Sequence, residues 1–447
     1  MVTGITVGIK VGLLGMGTVG TGTVEILLNP KDRHPLMKEL ELSRVGVRSM
    51  AKPRQFQLPE ERLTTDLAAI VNDPSIHIIV EVIGGIEPAR SLILQAIANG
   101  KHIVTANKAL IARHGSEIFD AANRAGVYVL LEAAVGGGIP VVEPLKQSLC
   151  ANRIMSLIGI INGTTNYILT RMQQEGGDFA HILQDAQRLG YAEADPSADV
   201  NGWDAADKIS ILAALAFGGR IKREEVYCEG IGQITAADIS YSDKLGFVIK
   251  LLAIARRWGD GEGDQPQLQV QVHPTLVPKS HPLSSVNDVY NAILVEGDPV
   301  GEVMFFGRGA GAGPTASAVV ADILNIAALL TVERGHQRQS SGYPVLDPLL
   351  ACTHQEYYAL IPITHTKSRF YARFLTHDHP GVIGKLGTCF GNRNVSLESV
   401  VQIGLREQCA EIVVVTHGVN EYDFRAALTE IETLNAIHSI PSVLRVL

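Results

Sequence analysis

Cysteine is scarce. Cys150, Cys228, Cys352, Cys389 and Cys409 are the only five in 447 residues, and no two form a CxxC pair. An odd, scattered set supplies neither a disulfide framework nor a thiolate zinc site, and it suits a reducing compartment. No HExxH occurs, and His377 and His379 about Asp378 fit a polar loop better than a metal site. Excess positive charge is also missing: 38 basic residues face 46 acidic ones, a net charge of −8, so no bulk field favours nucleic acid or an anionic membrane. Apolar runs such as 209–217 fall short of the about 20 residues that a bilayer core demands. The apolar N-terminus is broken by Gly4, Gly8, Gly12 and Gly15 and has no basic leader, so a strand is expected there and a cytoplasmic location for the protein. Low-complexity tracts and solenoid repeats are absent.

What is present is a globular profile rich in tight turns, with 46% hydrophobic residues, 44 glycines and 20 prolines. At roughly 150 residues per domain the length suggests about three domains. Residues 1–150 alternate short apolar runs with helical stretches, which predicts a Rossmann-like, doubly wound parallel sheet in an α/β fold. Its strands are expected over 6–14, 44–47, 76–82, 102–105 and 127–131. Residues 151–332 read as a central α+β domain for substrate and oligomerisation, with a mixed sheet including strands at 155–161, 268–272 and 289–295 and a helix at 203–217. A glycine-rich turn over 307–314 opens a helix over 315–330 that is expected to pack back on the first domain. A linker is expected over 333–369. Residues 370–447 then follow a strand, helix, strand, strand, helix, strand order of ferredoxin-like size.

The sharpest local signal is Gly15-Met16-Gly17-Thr18-Val19-Gly20, between an apolar strand and a helix. The first glycine permits the turn, the second lets backbone approach a pyrophosphate, and the third packs helix on strand, leaving free N–H groups for the anion. A glycine turn without a ligand is the alternative. At the end of the second strand an acid would bind the ribose hydroxyl of NAD, whereas a base accommodates the 2′-phosphate of NADP. Arg48, followed by Lys52 and Arg54, favours NADP, although a solvated basic loop or dual cofactor use fits the same residues. Asp204 and Lys208 share one helical face, and Glu193 belongs to the carboxylate-rich loop before them. A charged cluster feeding a nearly all-apolar helix suggests a lined cleft rather than a surface pair, with carboxylates for a substrate ammonium and lysine for proton transfer. Lys108 follows the end of a predicted parallel strand, where ligands bind in open α/β sheets, though an ordinary loop lysine sits there equally well. Cys150, near the first domain boundary, is the one candidate thioester-forming nucleophile, and no neighbour activates it.

With these residues in view, the chain resembles homoserine dehydrogenases of the long form that carry a C-terminal ACT domain. The resemblance spans nearly the whole length. Its most specific part runs from Ala186 through Gly190, Asp195-Pro196, Asp199, Gly202 and Asp204 to Lys208, with Ala106-Asn107-Lys108, Asn162-Gly163-Thr164-Thr165-Asn166 and Gly309-Ala310-Gly311 in support. It implies reversible hydride transfer between NAD(P)H and the carbon that is an aldehyde in L-aspartate 4-semialdehyde and an alcohol in L-homoserine. It implies Lys108 and Lys208 for proton transfer, Glu193, Asp204 and Gly190 for the substrate, and Gly309 and Lys108 beside the fingerprint for the cofactor. It also implies a monovalent cation, usually sodium, on oxygens of Glu132, Val135, Gly137 and Ile139, and L-threonine as an effector of the ACT domain. A homodimer or homotetramer is expected. Rival readings are an oxidoreductase for another small amino-acid aldehyde, or a catalytically silent amino-acid sensor.

Overall fold

The computed structural model describes residues 8–338 and 367–446, apart from Gln55, Gln57, Leu245, 259–266 and 407–408. The chain forms two compact units, Met1–Cys352 and Thr353–Leu447.

In the first unit, β1 (Ile9–Leu14), β2 (Leu40–Gly46), β3 (Leu63–Thr64), β4 (Ile78–Glu81), β5 (His102–Thr105) and β6 (Val129–Leu130) form a parallel sheet in the order β3-β2-β1-β4-β5-β6. Both faces are covered, which is why β1 and β4 read as continuous apolar runs rather than alternating ones. Strand order reverses between β1 and β4, and this opens a crevice at their C-terminal ends. The five expected strands appear in order with shifted ends, β2 beginning at Leu40 rather than 44 and β6 shortened to Val129–Leu130, and the two-residue edge strand β3 joins them without having been expected.

A second sheet contains β7 (Arg153–Ile160), β8 (Tyr227–Cys228), β9 (Phe247–Trp258), β10 (Gln267–Pro278), β11 (Tyr290–Asp298) and β12 (Gly301–Arg308), in the order β12-β11-β7-β9-β10-β8. Only β8 and β10 pair in parallel. The strand β12 occupies residues that sequence alone assigns partly to a glycine-rich turn. Helices Gly163–Glu175 and Trp203–Phe217 cover this sheet, and the helix Phe179–Arg188 packs on the first of them. Ile168, Ile182 and Ile209 there share one core with Ile93, Leu110 and Ile118 of the first sheet's helices, so the two sheets make a single body.

The helix after β12 runs Ala312–Arg338, longer at both ends than 315–330. The start of the expected linker, 333–338, is therefore helical, 339–366 lies outside the described residues, and its end, 367–369, already belongs to the strand Lys367–His377. The stretch Ala312–Val332 is long and apolar enough to cross a membrane, contrary to the expectation that every apolar run is too short. Here it packs instead on the parallel sheet, with Val319, Ile323 and Ile326 buried against Val11, Val24 and Val80. A Cβ on Gly22 would come within 2.7 Å of the Ala312 carbonyl oxygen, so glycine is what lets helices Thr18–Leu28 and Ala312–Arg338 approach so closely.

The second unit has β13 (Lys367–His377), β14 (Leu397–Arg406), β15 (Cys409–Thr416), β16 (Val419–Asn420) and β17 (Ile437–Val446). They pair antiparallel, with β13 flanked by β15 on one edge and by β17 and the short β16 on the other. Helices Val382–Asn392 and Glu421–Glu432 bury Leu386, Phe390, Phe424 and Leu428 against Phe370 and Phe374, a ferredoxin-like arrangement.

Candidate active site

The crevice at the strand switch point is a cavity of about 950 Å³ whose wall includes Gly15, Gly17, Thr18, Arg48, Lys52 and Ile83. Gly15 has φ +107°, a value that excludes a side chain, and the space over Gly17 is open. The helix Thr18–Leu28 starts at Gly17 with no side-chain cap, so its first N–H groups stay available to an anion. These features fit a dinucleotide pyrophosphate. Gly20 stands behind the wall: a Cβ there would lie 2.1 Å from the Gly15 carbonyl oxygen, and its absence keeps helix and turn together. Val19 packs into the core on the same side. Arg48, Lys52 and Arg54 all line the cavity at the end of β2, and Arg54 also donates to the carbonyls of Ser49 and Met50.

Beyond this crevice lies the cluster of charges. Asp204, at the start of the helix Trp203–Phe217, joins two ammoniums: Lys108 Nζ is 3.1 Å from Oδ1 and Lys208 Nζ is 2.7 Å from Oδ2. Lys208 also donates to the Ile161 carbonyl at 2.8 Å. Asn162 Nδ2 donates to Asp204 Oδ2 at 3.0 Å and to Asp199 Oδ1 at 2.7 Å, while its own Oδ1 caps the helix Gly163–Glu175. Burial pushes the Asp204 carboxyl up, but the Lys208 and Lys108 ammoniums and the bonds from Lys208 and Asn162 outweigh it, leaving Asp204 well below the usual carboxylate range. In return the Asp204 carboxylate raises Lys108 above its ordinary value.

A second buried acid, Glu81, ends β4 and was not singled out from sequence. Its carboxylate accepts from the N–H groups of Ile83 (2.9 Å) and Gly84 (3.1 Å) and from Thr105 Oγ1 (2.7 Å). Asn107, the cap of the helix Lys108–Ala125, donates to the Gly85 carbonyl at 2.7 Å. One network thus fixes both the loop that walls the cavity and the turn that launches Lys108. Burial raises the Glu81 carboxyl despite these donors. An acid closing the apolar run 78–81 was the sequence signal for it.

Other expected residues lie apart from this cluster. Glu193 is exposed, its carbonyl accepts from Gln187 at 3.1 Å, and its carboxylate makes no ion pair among the described residues. Gly190, at φ +78°, turns the chain after the helix Phe179–Arg188. Gly309 is buried at the end of β12 under Asn291, whose amide atoms have no partner among the described residues. Cys150 is exposed. No group of three His, Cys, Asp or Glu that could hold a metal occurs among the described residues.

The Glu132 carboxylate is fully engaged, accepting from the N–H groups of Val141, Val142 and Glu143 at 2.6, 2.8 and 2.7 Å. The turn after it, with Gly136 and Gly137 in the left-handed region, is buried at Val135, Gly137 and Ile139. Carbonyls of these three residues accept no hydrogen bond from another described residue. Buried carbonyls without donors fit a hard monovalent cation, whereas the Glu132 carboxylate is taken up and its main-chain oxygen already accepts the Val135 N–H at 3.4 Å.

A dinucleotide crevice beside a lysine–aspartate–lysine chain, in which Asp204 and Lys208 are buried and Lys108 is half-exposed, defines a nicotinamide-dependent oxidoreductase. Comparison with known proteins narrows the class. A profile of homoserine dehydrogenase matches residues 140–324, one of the homoserine dehydrogenase NAD binding domain matches 15–132, and one of the ACT domain matches 370–436. A homoserine dehydrogenase of Synechocystis sp. is 65% identical over 439 residues, covering 98% of this chain and 99% of its own. The crystal structure of a homoserine dehydrogenase from Thiobacillus denitrificans superposes with a TM-score of 0.67 at 41% identity, covering 98% and 97%. A hyperthermophilic archaeal homoserine dehydrogenase in complex with NADPH matches with a TM-score of 0.59 at 25% identity, covering 72% of this chain and 98% of its own. The chain belongs to the homoserine dehydrogenase family, and its second unit is an ACT domain.

Proposed function

We propose that the chain catalyses the reversible NAD(P)H-dependent reduction of L-aspartate 4-semialdehyde to L-homoserine, a step in threonine, methionine and isoleucine biosynthesis. The observation that carries this reading is Asp204 bridging Lys108 and Lys208. When bound, the nicotinamide supplies hydride to the aldehyde carbon. Negative charge then grows on the aldehyde oxygen, where a positioned ammonium both stabilises it and supplies the proton. Lys208 suits the donor: two of its three N–H groups engage Ile161 and Asp204, leaving one for that oxygen. Lys108, whose charged form Asp204 reinforces, suits electrostatic stabilisation. The exposed carboxylate of Glu193, on the loop that Gly190 turns, suits the substrate ammonium.

NADP is the preferred cofactor in this reading, with NAD accepted, because Arg48 and Lys52 face the cavity at the end of β2. Arg48→Asp should lower the NADPH-to-NADH preference by roughly tenfold or more, the scale of one charge-assisted hydrogen bond of about 1.5–3 kcal/mol. An unaltered ratio removes Arg48 from the phosphate site. A sodium ion on the main-chain oxygens of Val135, Gly137 and Ile139 would brace the turn beside Gly309. In the ACT domain, L-threonine suits the hollow walled by His377, Asp378, His379 and Val382. Exposed Met304 and Phe306 on the edge strand β12 favour a homodimer or homotetramer, which light scattering would measure.

One assay tests the whole reading: oxidation of NADPH and NADH with L-aspartate 4-semialdehyde, with and without L-threonine, in sodium and in choline buffers. Turnover with NADPH favoured, slowed by threonine and by loss of sodium, is the expected result. No turnover in protein that still binds NADPH would redirect the site to another aldehyde.

A further inference from the structure

Three ion pairs tie the helix Lys108–Ala125 to the segment around the helix Trp203–Phe217, and only the first belongs to the proposed reaction. Lys108 meets Asp204 at 3.1 Å. Farther along, Arg113 Nη1 donates to Asp207 Oδ2 at 3.2 Å, and Arg223 Nε donates to Asp207 Oδ1 at 2.6 Å. At the far end, exposed Arg220 pairs with Asp120 at 2.7 Å. Asp207 is only 6% exposed, and each of its oxygens is taken by a guanidinium.

We propose that Asp207 is a positioning residue, acting through Arg113 to hold the Lys108 helix where its first ammonium reaches Asp204. Arg223, which also donates to the Trp203 carbonyl at 3.3 Å, anchors the Asp207 carboxylate from its own side, so that carboxylate cannot swing to follow a displaced Arg113. The need for such a clamp follows from Lys108 itself. Its side chain is 37% exposed and its tie to Asp204 is a single ion pair on a flexible stem, so its placement depends on where its helix begins. Arg113 lies five residues on, about 7.5 Å along the helix axis, so a shift at Asp207 is felt at Lys108. A buried carboxylate between two guanidiniums is a stiff partner, since loss of either leaves buried charge unbalanced.

This inference rests on the reading of Lys108 as part of the reaction, and the test separates the two. Arg113→Gln, Arg220→Gln, Lys108→Ala and the Arg113→Gln/Lys108→Ala double variant are compared by kcat, by KM for both substrates and by Tm. Arg113→Gln should lower kcat about tenfold, inside the roughly 10²-fold that a misplacement of about 1 Å can cost, with KM for NADPH kept. Arg220→Gln, which cuts an ion pair between the same two segments, should keep kcat near the wild-type value. In the Lys108→Ala background Arg113→Gln should add nothing. Equal kcat losses in Arg113→Gln and Arg220→Gln, or a full further loss in the double variant, would overturn the clamp. A fall in Lys108→Ala with none in Arg113→Gln overturns the clamp alone, while an unchanged kcat in Lys108→Ala overturns the reading of Lys108 and the clamp together.

Discussion

Lys208→Ala is expected to lower kcat by about 10²-fold or more, the usual scale for losing a positioned acid or base. Lys208 is 9% exposed and its ammonium is directed by two fixed acceptors, the Ile161 carbonyl and Asp204, so neither water nor a neighbouring lysine takes its place without rearrangement. The crevice for the dinucleotide is built from other residues, the fingerprint turn and the end of β2, so NADPH affinity should stay near normal. Steady-state kinetics with a separate NADPH titration measures both. Unchanged kcat would remove Lys208 from the chemistry, and a parallel loss of NADPH binding would point to a structural role instead.

Asp204→Asn should be the most damaging single change for stability as well as rate. It leaves two ammoniums facing a neutral amide, and removing one partner of a buried ion pair costs about 3–5 kcal/mol. Asp204 has a folded-state pKa below the unfolded carboxylate value of about 3.9, so its contribution is in force above that pH and is lost as pH falls through the folded value. The stability gap between wild type and Asp204→Asn should therefore be wide and constant at neutral pH, begin to shrink below about pH 4, and keep shrinking toward the folded value. Urea unfolding across pH 3–7 checks this. A gap that does not change with pH would mean that the Asp204 charge is not what the lysines need.

Much of this site was legible in sequence because the physics behind it is local. The glycine fingerprint is a backbone requirement of one turn, and Asp204 with Lys208 is a four-residue helical spacing. The Lys108–Asp204 contact is not local, and only the placement of Lys108 past a strand end hinted at it. Asp207 with Arg113 carried no hint at all, since the pair is separated by 94 residues and neither spacing nor composition marks it. Glu132 shows a subtler gap: nothing in its sequence neighbourhood tells that its carboxylate is consumed by the N–H groups at the start of the helix Val142–Lys146. Strands of the second sheet were hard to read for a different reason. The strand β9, unexpected from the sequence, carries Lys250, Arg256 and Arg257 among its apolar residues and lacks a clean two-residue alternation. The strand β10 alternates cleanly only to Val272, before Pro274 breaks the pattern, so that only 268–272 reads as a strand in sequence.

The return of the helix Ala312–Arg338 to the parallel sheet bears on how the molecule is made. Val24 and Val80, specified early in the chain, are enclosed by Val319 and Ile323, which a ribosome delivers only after the entire second sheet. The nucleotide half thus cannot mature as an independent N-terminal unit during synthesis. Its apolar face has to wait, exposed, for contacts of very large sequence separation, the kind that slow folding and invite chaperones. The cavity wall to which Ala312 contributes is therefore completed only after the second sheet, not at the start of synthesis.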